Sequence, residues 1–164
     1  MSKIAPTAAT VKKAQSQDID GLIRLLRQIA NLHHKNRPDI FVAEGQKYTK
    51  EALEDILKDK NRPIFVAVDC NNHMLGYCFC KLQSPDHPVL KKQLTLYIDD
   101  FCVEENLRGQ GIGKQLFDVV LSYAGKQGAY NIDLNVWSFN EGAIKFYESL
   151  GFSARSQTME LILS

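Results

Sequence analysis

A glycine-rich hexapeptide stands between an apolar run and an amphipathic stretch of the chain, and it reads Arg108-Gly109-Gln110-Gly111-Ile112-Gly113. The apolar run, Leu94–Val103, predicts a strand, and apolar residues at helical spacing predict a helix from Gly111 to Gln127. Glycines at such a junction let backbone N–H groups point at one anion without interference from Cβ atoms. The start of the helix adds unpaired donors and the positive end of its dipole. With the charges of Arg108 and Lys114, the hexapeptide predicts a pyrophosphate seat.

Two common phosphate-binding fingerprints do not fit this stretch. The loop of ATP and GTP enzymes requires glycine where Arg108 stands and Ser or Thr where Gln115 stands. A dinucleotide fingerprint that starts at Gly109 requires glycine where Lys114 stands. A nucleotide-binding module is therefore disfavoured, while a tight turn with glycines for geometry alone stays open.

The same periodicity, followed outward from the hexapeptide, predicts the element order β-α-α-β-β-β-α-β-α-β. The predicted strands are Thr10–Ala14, Pro63–Asp69, Met74–Leu82, Leu94–Val103, Tyr130–Val136 and Phe152–Leu163. The predicted helices are Asp18–His33, Thr49–Asp59, Gly111–Gln127 and Ser138–Leu150. Ser16 and Thr49 are expected to cap the first two helices, and Ser138 with Glu141 fits a capping box at the last. A run of strands followed by strand-helix-strand units predicts an α/β fold with a mixed sheet and helices on both faces.

The composition favours one globular domain over residues 1–164, with residues 1–8 as a flexible N-terminus. Hydrophobic residues make up 45% and charged residues 24%, which allows a packed core and a polar surface. A formal net charge of +1, without a basic run, disfavours nucleic acid and anionic membranes as partners. The segment Met1–Thr10 lacks the apolar stretch of a signal peptide, and no run is long enough to span a membrane. We therefore expect a cytoplasmic protein.

The chain has four cysteines, at Cys70, Cys78, Cys80 and Cys102. The spacing of Cys78 and Cys80 is not that of a zinc ligand pair, and no second pair follows. On a strand these two residues face the same side, which suits small buried side chains. Reduced structural thiols and no metal site are expected.

Two separated motifs carry a resemblance to a known family. The hexapeptide resembles the Arg/Gln-x-x-Gly-x-Gly/Ala signature of the GCN5-related N-acetyltransferase superfamily, and residues 140–152 resemble its Asn…Ala…Phe-Tyr…Leu-Gly-Phe segment. The opening VKKAQSQDIDGLIRLL is similar to the family's first strand and helix. This resemblance covers nearly the whole chain. It implies the acyl-CoA N-acyltransferase fold, with a mostly antiparallel central sheet, and transfer of an acetyl group from acetyl-CoA to a primary amine.

The resemblance also implies roles for particular residues. Phe101, Cys102 and Val103 match the strand that pairs with the pantetheine arm, and the turn from Arg108 to Lys114 would cradle the pyrophosphate. Asn140 would lie near the pantetheine. Tyr147, two helical turns further on, would donate a proton to the leaving thiolate. Backbone N–H groups around Val103 would stabilise the oxyanion.

The general base is the least determined part of this expected site. The family often places a glutamate on the strand before the loop, where this chain has Tyr97. Asp99 is the acidic candidate, and strand alternation predicts that Asp99 and Asp100 point to opposite faces. A base that acts through water and a histidine, His33 or His34, are alternatives.

The acceptor is expected to be an amine-bearing small molecule or a peptide. Family members that acetylate protein N-termini often carry a glutamate where Asn135 stands, which disfavours that acceptor. A polyamine would require clustered carboxylates, which the order of residues along the chain does not show. A homodimer is possible, since dimers are frequent in the family. The alternative function is a non-catalytic acyl-CoA-binding or regulatory module on the same fold.

Overall fold

The computed structural model describes residues 8–163, so the predicted flexible N-terminus lies, apart from Ala8, outside the described residues. Its strands are Thr10–Lys13 (β1), Ile64–Val68 (β2), Met74–Gln83 (β3), Thr95–Val103 (β4) and Asn131–Leu134 (β5). Its α-helices are Ile19–Asn36 (α1), Lys50–Lys58 (α2), Ile112–Lys126 (α3) and Glu141–Ser149 (α4). Short 3₁₀ turns occur at Ser16–Asp18 and Glu105–Leu107. Among the described residues no helix has the length and apolar character of a membrane span.

The five strands form one sheet in the order β1-β2-β3-β4-β5. The first four pair antiparallel, and β5 joins β4 in parallel from Thr95↔Asn131 to Ile98↔Leu134. The prediction of a mixed, mostly antiparallel sheet is confirmed. Because β5 ends at Leu134 while β4 continues to Val103, the last part of β4 has β3 on one side only within residues 8–163.

Helices cover both faces of this sheet, as predicted. Apolar residues of α1 and α2 share one core with strand residues of one face; its members include Leu22, Leu26, Leu53, Val66, Tyr77 and Cys102. On the other face, Tyr123 of α3 meets the ring of Phe65 edge-on at a centroid distance of 5.3 Å. Alternation along β2 explains why neighbouring residues serve opposite cores.

The chain divides into two compact units. The first ends at Leu134 and holds the whole sheet with α1, α2 and α3, and the second runs from Asn135 and holds α4. The family resemblance spans both units. A single domain over residues 1–164 stays a prediction.

The predicted C-terminal strand, Phe152–Leu163, is wrong. These residues have no regular secondary structure, and none of them belongs to a ladder in the described chain. The alternation of apolar residues is real, but a strand also requires a neighbour for its backbone groups. A sequence pattern cannot supply that neighbour.

The helix caps were predicted correctly at one of three positions. Thr49 caps α2, its hydroxyl accepting from the N–H of Ala52 at 3.2 Å. Ser16 instead lies inside the 3₁₀ turn, where its hydroxyl donates to Glu54 at 2.9 Å, and Asp18 occupies the N-cap of α1. At α4 the cap is Asn140 rather than Ser138, because the helix begins at Glu141.

At Gly76, β3 lies close to both β4 and α3. A Cβ atom at this position would lie 2.8 Å from the carbonyl oxygen of Cys102 and 3.1 Å from Cδ1 of Leu116. We expect Gly76→Ala to lower the free energy of unfolding by about 1–3 kcal/mol, since backbone and core must shift. Urea denaturation measures this loss.

Gly125→Ala is the matched control. It lies on the exposed side of α3, and a Cβ atom there meets nothing within 4 Å. This change should raise the free energy of unfolding by about 0.5–1 kcal/mol, because alanine favours helix over glycine. Equal effects of the two changes would contradict the close approach at Gly76.

Candidate active site

A β-bulge interrupts β4 at Asp99. The register passes from Cys80↔Ile98 to Phe79↔Asp100, so Asp99 is an extra residue without a partner on β3. A bulge of this kind re-aims side chains and breaks strict alternation. The Nζ atom of Lys47 lies 3.0 Å from Oδ2 of Asp99 and 3.0 Å from Oδ2 of Asp100. The prediction that the two carboxylates point to opposite faces is therefore wrong.

Two tyrosine hydroxyls also donate hydrogen bonds to these carboxylates. The hydroxyl of Tyr48 donates to Oδ2 of Asp99 at 3.0 Å, and that of Tyr77 donates to Oδ1 of Asp100 at 3.1 Å. The side chain of Asp100 is only 11% exposed. We call Lys47, Tyr48, Tyr77, Asp99 and Asp100 the carboxylate cluster. Sequence reasoning found only its two acids, because the loop that carries Lys47 and Tyr48 is distant along the chain.

The cluster holds Asp99 in its charged form. Burial alone raises the pKa of Asp99, but the hydrogen bond and charge of Lys47 and the hydrogen bond from Tyr48 outweigh it, so the pKa is lowered. Burial likewise opposes the charge of Lys47, yet Asp100 and Asp99 raise the pKa of its ammonium well above the ordinary value. A carboxylate with a lowered pKa accepts a proton less readily, which weakens Asp99 as a direct base.

His33 stands near this cluster on α1. Its ring lies 4.9 Å from that of Phe41 between centroids. Burial is the main cause of its lowered pKa, against the raising effect of Asp100, so the imidazole is neutral at physiological pH. The Nδ1 atom of His34 lies 2.6 Å from the carbonyl oxygen of Phe41, a contact that ties α1 to the loop after it. Because its imidazole lies near the carboxylates, His33 is the histidine that the structure brings to the cluster.

A cavity of ≈150 Å³ borders Asp99. Its walls are formed by Ile56, Arg62, Phe79, Cys80, Lys81 and Asp99. This volume has room for several water molecules beside the carboxylate. Water in this cavity, whose lining residues all belong to the first unit, could therefore contact Asp99.

The outer edge of β4 beyond the bulge presents backbone groups in a fixed alternation. The N–H of Glu104 donates to the carbonyl of Leu75 at 2.9 Å, so the backbone groups of Glu104 point toward β3. Because backbone direction alternates along an antiparallel strand, those of Cys102 also point toward β3. Phe101 and Val103 then direct their backbone groups to the outer edge. The carbonyl of Val103 accepts from Nε2 of Gln28 at 3.2 Å and from Nε of Arg108 at 3.4 Å.

The thiol of Cys102 is not a nucleophile in this setting. Its side chain is buried in the core between α1 and the sheet. Burial raises the pKa of Cys102 to about 12, and only the thiolate reacts readily.

The glycine-rich turn has the backbone geometry that the sequence predicts for an anion seat. Gly109 and Gly111 adopt left-handed φ values of 77° and 85°, a region that residues with a Cβ disfavour. Gly111 is the N-cap of α3 and supplies no side-chain cap. The first helical bond joins the N–H of Gln115 to the carbonyl of Gly111 at 3.0 Å. The N–H groups of Ile112, Gly113 and Lys114 therefore have no acceptor within the helix.

The polar side chains of the turn already have protein partners. Arg108 donates to the Val103 carbonyl, and Nε2 of Gln110 donates to the carbonyl of Asn106 at 3.4 Å. Lys114 forms an ion pair with Asp118, one helical turn further on. Asp118 therefore offsets part of the positive charge that Lys114 brings to the turn.

Asn140 and Tyr147 belong to the second unit. The Oδ1 atom of Asn140 accepts from the N–H of Ala143 at 3.2 Å, so Asn140 caps α4. Tyr147 is half-buried, with its ring 5.4 Å from that of Phe146 and 5.5 Å from that of Phe152. Neighbouring aromatic rings thus restrict the orientation of the phenol.

The prediction that Cys78 and Cys80 face one buried side of a strand is confirmed, whereas Cys70 is exposed. The four thiols form no disulfide, and the Sγ atoms of Cys78 and Cys80 lie 3.5 Å apart on one buried side of β3. Burial and this contact raise the pKa of Cys78. Within residues 8–163, no three His, Cys, Asp or Glu side chains converge as a metal site would require.

The sequence model of one family matches this chain over residues 26–152, and its description is the acetyltransferase (GNAT) family. The chain belongs to the GNAT family. The match includes β4, the glycine-rich turn and α4, so the two motifs that carry the resemblance both lie inside it. GNAT members are acetyltransferases, and acetyl-CoA is the co-substrate general to the family.

Individual relatives agree with this membership. N-alpha-acetyltransferase 30 of Schizosaccharomyces pombe is 30% identical over 127 residues, which are 68% of this chain and 81% of that protein. An uncharacterized N-acetyltransferase of Methanocaldococcus jannaschii is 25% identical over 146 residues, 89% of this chain but only 61% of the longer archaeal protein. A solved mutant of the BH1408 protein from Bacillus halodurans superposes with a TM-score of 0.90 at 33% identity, covering 94% of this chain and 99% of that one.

Lys47→Met tests whether the ammonium stabilises the carboxylate cluster. At neutral pH we expect the free energy of unfolding to fall by about 1–2 kcal/mol, because two carboxylates lose their cation while solvent screens part of the effect. Since the pair lowers the pKa of Asp99, its stabilisation is present above the ordinary carboxylate pKa and lost as the pH falls through the lowered value. Urea titrations should show the difference between the two proteins shrinking below about pH 4.

Lys50→Met is the matched control, since Nζ of Lys50 lies 2.7 Å from Oδ1 of Asp20 on the exposed surface. This change should leave the free energy of unfolding nearly unchanged, because solvent screens a fully exposed pair. The role of the cluster would be refuted if Lys50→Met lowered the free energy of unfolding as much as Lys47→Met. It would also be refuted if the loss caused by Lys47→Met did not depend on pH.

Proposed function

We propose that the protein transfers the acetyl group of acetyl-CoA to a primary amine. One observation carries the proposal: β4 leads at Val103 into a glycine turn and a helix start whose N–H groups, at Ile112, Gly113 and Lys114, have no acceptor within the helix. A thioester coenzyme has amide groups that can pair with a strand edge and a pyrophosphate that suits a helix N-terminus. The backbone donors of β4 and α3 therefore fit acetyl-CoA, and membership of the GNAT family supports the same co-substrate.

The coenzyme residues are assigned by combining this geometry with the family motif. Phe101 and Val103 would pair with the pantetheine through their outward backbone groups, with Cys102 between them. The turn would hold the pyrophosphate through Arg108, Gly109, Gln110, Gly111, Ile112, Gly113 and Lys114. Asn140 is proposed as a further pantetheine contact, on the strength of the motif.

Acetyl transfer from a thioester to an amine requires that the two reactants be oriented and that protons be moved. The amine nitrogen forms a bond to the thioester carbonyl carbon, and the carbonyl oxygen becomes an oxyanion that a backbone N–H near Val103 would stabilise. The carbon–sulfur bond then breaks, coenzyme A leaves as a thiolate, and the amide remains on the acceptor. Tyr147 is proposed to donate its phenolic proton to that sulfur.

Asp99 is proposed to act on the amine through water rather than directly. The pair with Lys47 keeps the carboxylate charged and lowers its pKa, while the adjacent cavity leaves room for water. A water molecule held there would pass the proton from the attacking amine toward the carboxylate. His33, neutral and close to the cluster, is the second candidate for this proton.

The acceptor is proposed to be an amine-bearing small molecule or a peptide. The bulge brings two carboxylates together, as a polycationic acceptor would require, but the ammonium of Lys47 and the neighbouring charge of Arg62 offset theirs. This balance favours acceptors with a single amine over polyamines. A turnover assay with monoamines, diamines, aminoglycosides and peptides tests this order of preference, in which single amines should give higher kcat/KM than polyamines. A cytoplasmic location stays a prediction from the sequence.

A non-catalytic acyl-CoA-binding module is the alternative. It would bind acetyl-CoA through the same backbone groups without any need for a phenol at residue 147. Acetyl-CoA binding without turnover of any amine in the panel would favour this alternative.

Gly111→Asp should weaken acetyl-CoA binding by at least about 100-fold in calorimetric titration. The change places a carboxylate beside the pyrophosphate and a Cβ atom at a left-handed position. Gly128→Asp, at the other end of α3 with φ of 72° and no atom within 4 Å of a Cβ, is the matched control for backbone strain. Equal affinity in the Gly111 variant would remove the turn from the coenzyme site.

Tyr147→Phe should keep acetyl-CoA affinity and lower kcat by at least about 10-fold, since one acid–base group is lost. Steady-state kinetics with a reactive amine gives kcat, and calorimetry gives the affinity. The exposed Tyr130 provides the control, because Tyr130→Phe should leave both quantities unchanged. Unchanged kcat in the Tyr147 variant would exclude the phenol from the mechanism.

A further inference from the structure

The wall of the cavity beside Asp99 contains cations as well as a carboxylate. Arg62, which is half-buried, and Lys81, which is exposed, both line the ≈150 Å³ cavity together with Asp99. Arg62 follows α2, whereas Lys81 belongs to β3, so two separate parts of the chain bring positive charge to one small space. The cavity wall thus holds two cations and one carboxylate.

The neighbouring carboxylate cluster does not balance both of these cations. Lys47 pairs with Asp99 and with Asp100 at 3.0 Å each, so its ammonium offsets one of the two negative charges. Arg62, whose charge also acts on Asp99, offsets the other. Among the charged side chains of the cavity wall and the cluster, Lys81 is then one positive charge in excess. A ligand with a negative group is therefore favoured in this cavity.

The guanidinium of Arg62 has donors to spare. Its Nη2 atom lies 3.5 Å from the hydroxyl of Tyr48, which is longer than an ordinary hydrogen bond. Within residues 8–163, no carboxylate forms an ion pair with Arg62. A guanidinium presents a planar fork of donors that matches a carboxylate through two parallel hydrogen bonds. A carboxylate in the cavity could take up these donors.

The hydroxyl of Tyr48 also sets the spacing between the negative and positive sides of the cavity. It lies 3.0 Å from Oδ2 of Asp99 and 3.5 Å from Nη2 of Arg62, so a single oxygen atom separates the two charged groups. An α-amino acid carries its amine and its carboxylate on one carbon atom. Its carboxylate could therefore bind Arg62 while its amine lies close to Asp99. The buried side chains of Ile56 and Phe79 in the same wall suit an apolar side chain.

We propose that the acceptor is a free α-amino acid whose carboxylate is bound by Arg62 and Lys81 in this cavity. This inference rests on the proposed acetyl transfer and names its acceptor class. The cavity has room for several water molecules, so the carboxylate can replace some of them and leave one beside Asp99. The amine is then oriented by the bound carboxylate, and the product is an N-acetyl amino acid.

Three acceptors with the same side chain test the carboxylate: leucine, leucinamide and isoamylamine. Only leucine is a carboxylate, and we expect its kcat/KM to exceed that of the other two at least about 10-fold, since a hydrogen bond between charged groups is gained. The amine of leucinamide has a lower pKa than that of leucine, because it lacks the carboxylate that stabilises the ammonium. Amine reactivity alone would therefore favour the amide.

Substitution of the two cations tests where the carboxylate binds. Arg62→Gln should lower the ratio of kcat/KM between leucine and isoamylamine at least about 10-fold, because the fork of donors is lost. Lys81→Gln should lower it by a smaller factor, since solvent screens an exposed charge. The matched control is Arg27→Gln. The Nη2 atom of Arg27 also lies 3.5 Å from a neutral side-chain oxygen, that of Gln46, but Arg27 does not line the cavity, so the ratio should not change.

A binding measurement separates the amino-acid site from the transfer reaction. With coenzyme A present, titration of isotope-labelled protein with leucine should shift the amide NMR signals of Arg62, Phe79 and Lys81 more than titration with leucinamide does. Such shifts without turnover of any amine would support the amino-acid site and contradict the proposed transfer.

Three results would overturn the inference. The first is equal kcat/KM for the three acceptors, which would leave the proposed acetyl transfer in place. The second is an unchanged ratio in Arg62→Gln. The third is the absence of leucine-dependent shifts at the cavity wall.

Discussion

The strand β4 pairs with β5 only as far as Ile98, although its pairing with β3 continues to Val103. The candidate site lies along the part of β4 beyond Ile98. Up to this residue the strand lies between β3 and β5, and beyond it only β3 remains as a strand neighbour in residues 8–163. Backbone groups that leave a ladder require another partner, because unpaired polar groups away from water are costly. The carbonyl of Val103 finds Gln28 and Arg108. The outward N–H of Val103 is one of the groups that we propose pair with the amide-bearing coenzyme.

The bulge at Asp99 adds a second consequence at the same place. By breaking the alternation it lets one ammonium reach two consecutive carboxylates, and the tyrosines on either side fix them. Two acids, one lysine and the neighbouring Arg62 leave the region close to neutral, with a neutral imidazole beside it. A neutral region is suited to an amine that must lose its proton before it attacks. The contacts with Lys47 and Tyr48 also lower the pKa of Asp99, so its carboxylate is a stable ion-pair partner and a weak base.

The order of the elements and the glycine turn could be predicted from sequence because both rest on local signals. Hydrophobic periodicity placed all five observed strands and four helices, and the left-handed positions Gly109 and Gly111 are ones that a residue with a Cβ atom would avoid. The bulge could not be predicted, because it depends on the register between two strands. The pair of Lys47 with Asp99 joins residues 52 positions apart and follows from that register. Residues 152–163 alternate like a strand but are not one, because a strand requires a neighbouring strand that local periodicity does not contain.

Amide hydrogen exchange with and without saturating acetyl-CoA reports on the backbone groups proposed to hold the coenzyme. We expect slower exchange at Val103 and at the first turn of α3, Ile112, Gly113 and Lys114, with no change along the ladder between β1 and β2. Unchanged exchange at these four amides under conditions where acetyl-CoA binds would contradict this proposal, because the coenzyme would then be held elsewhere.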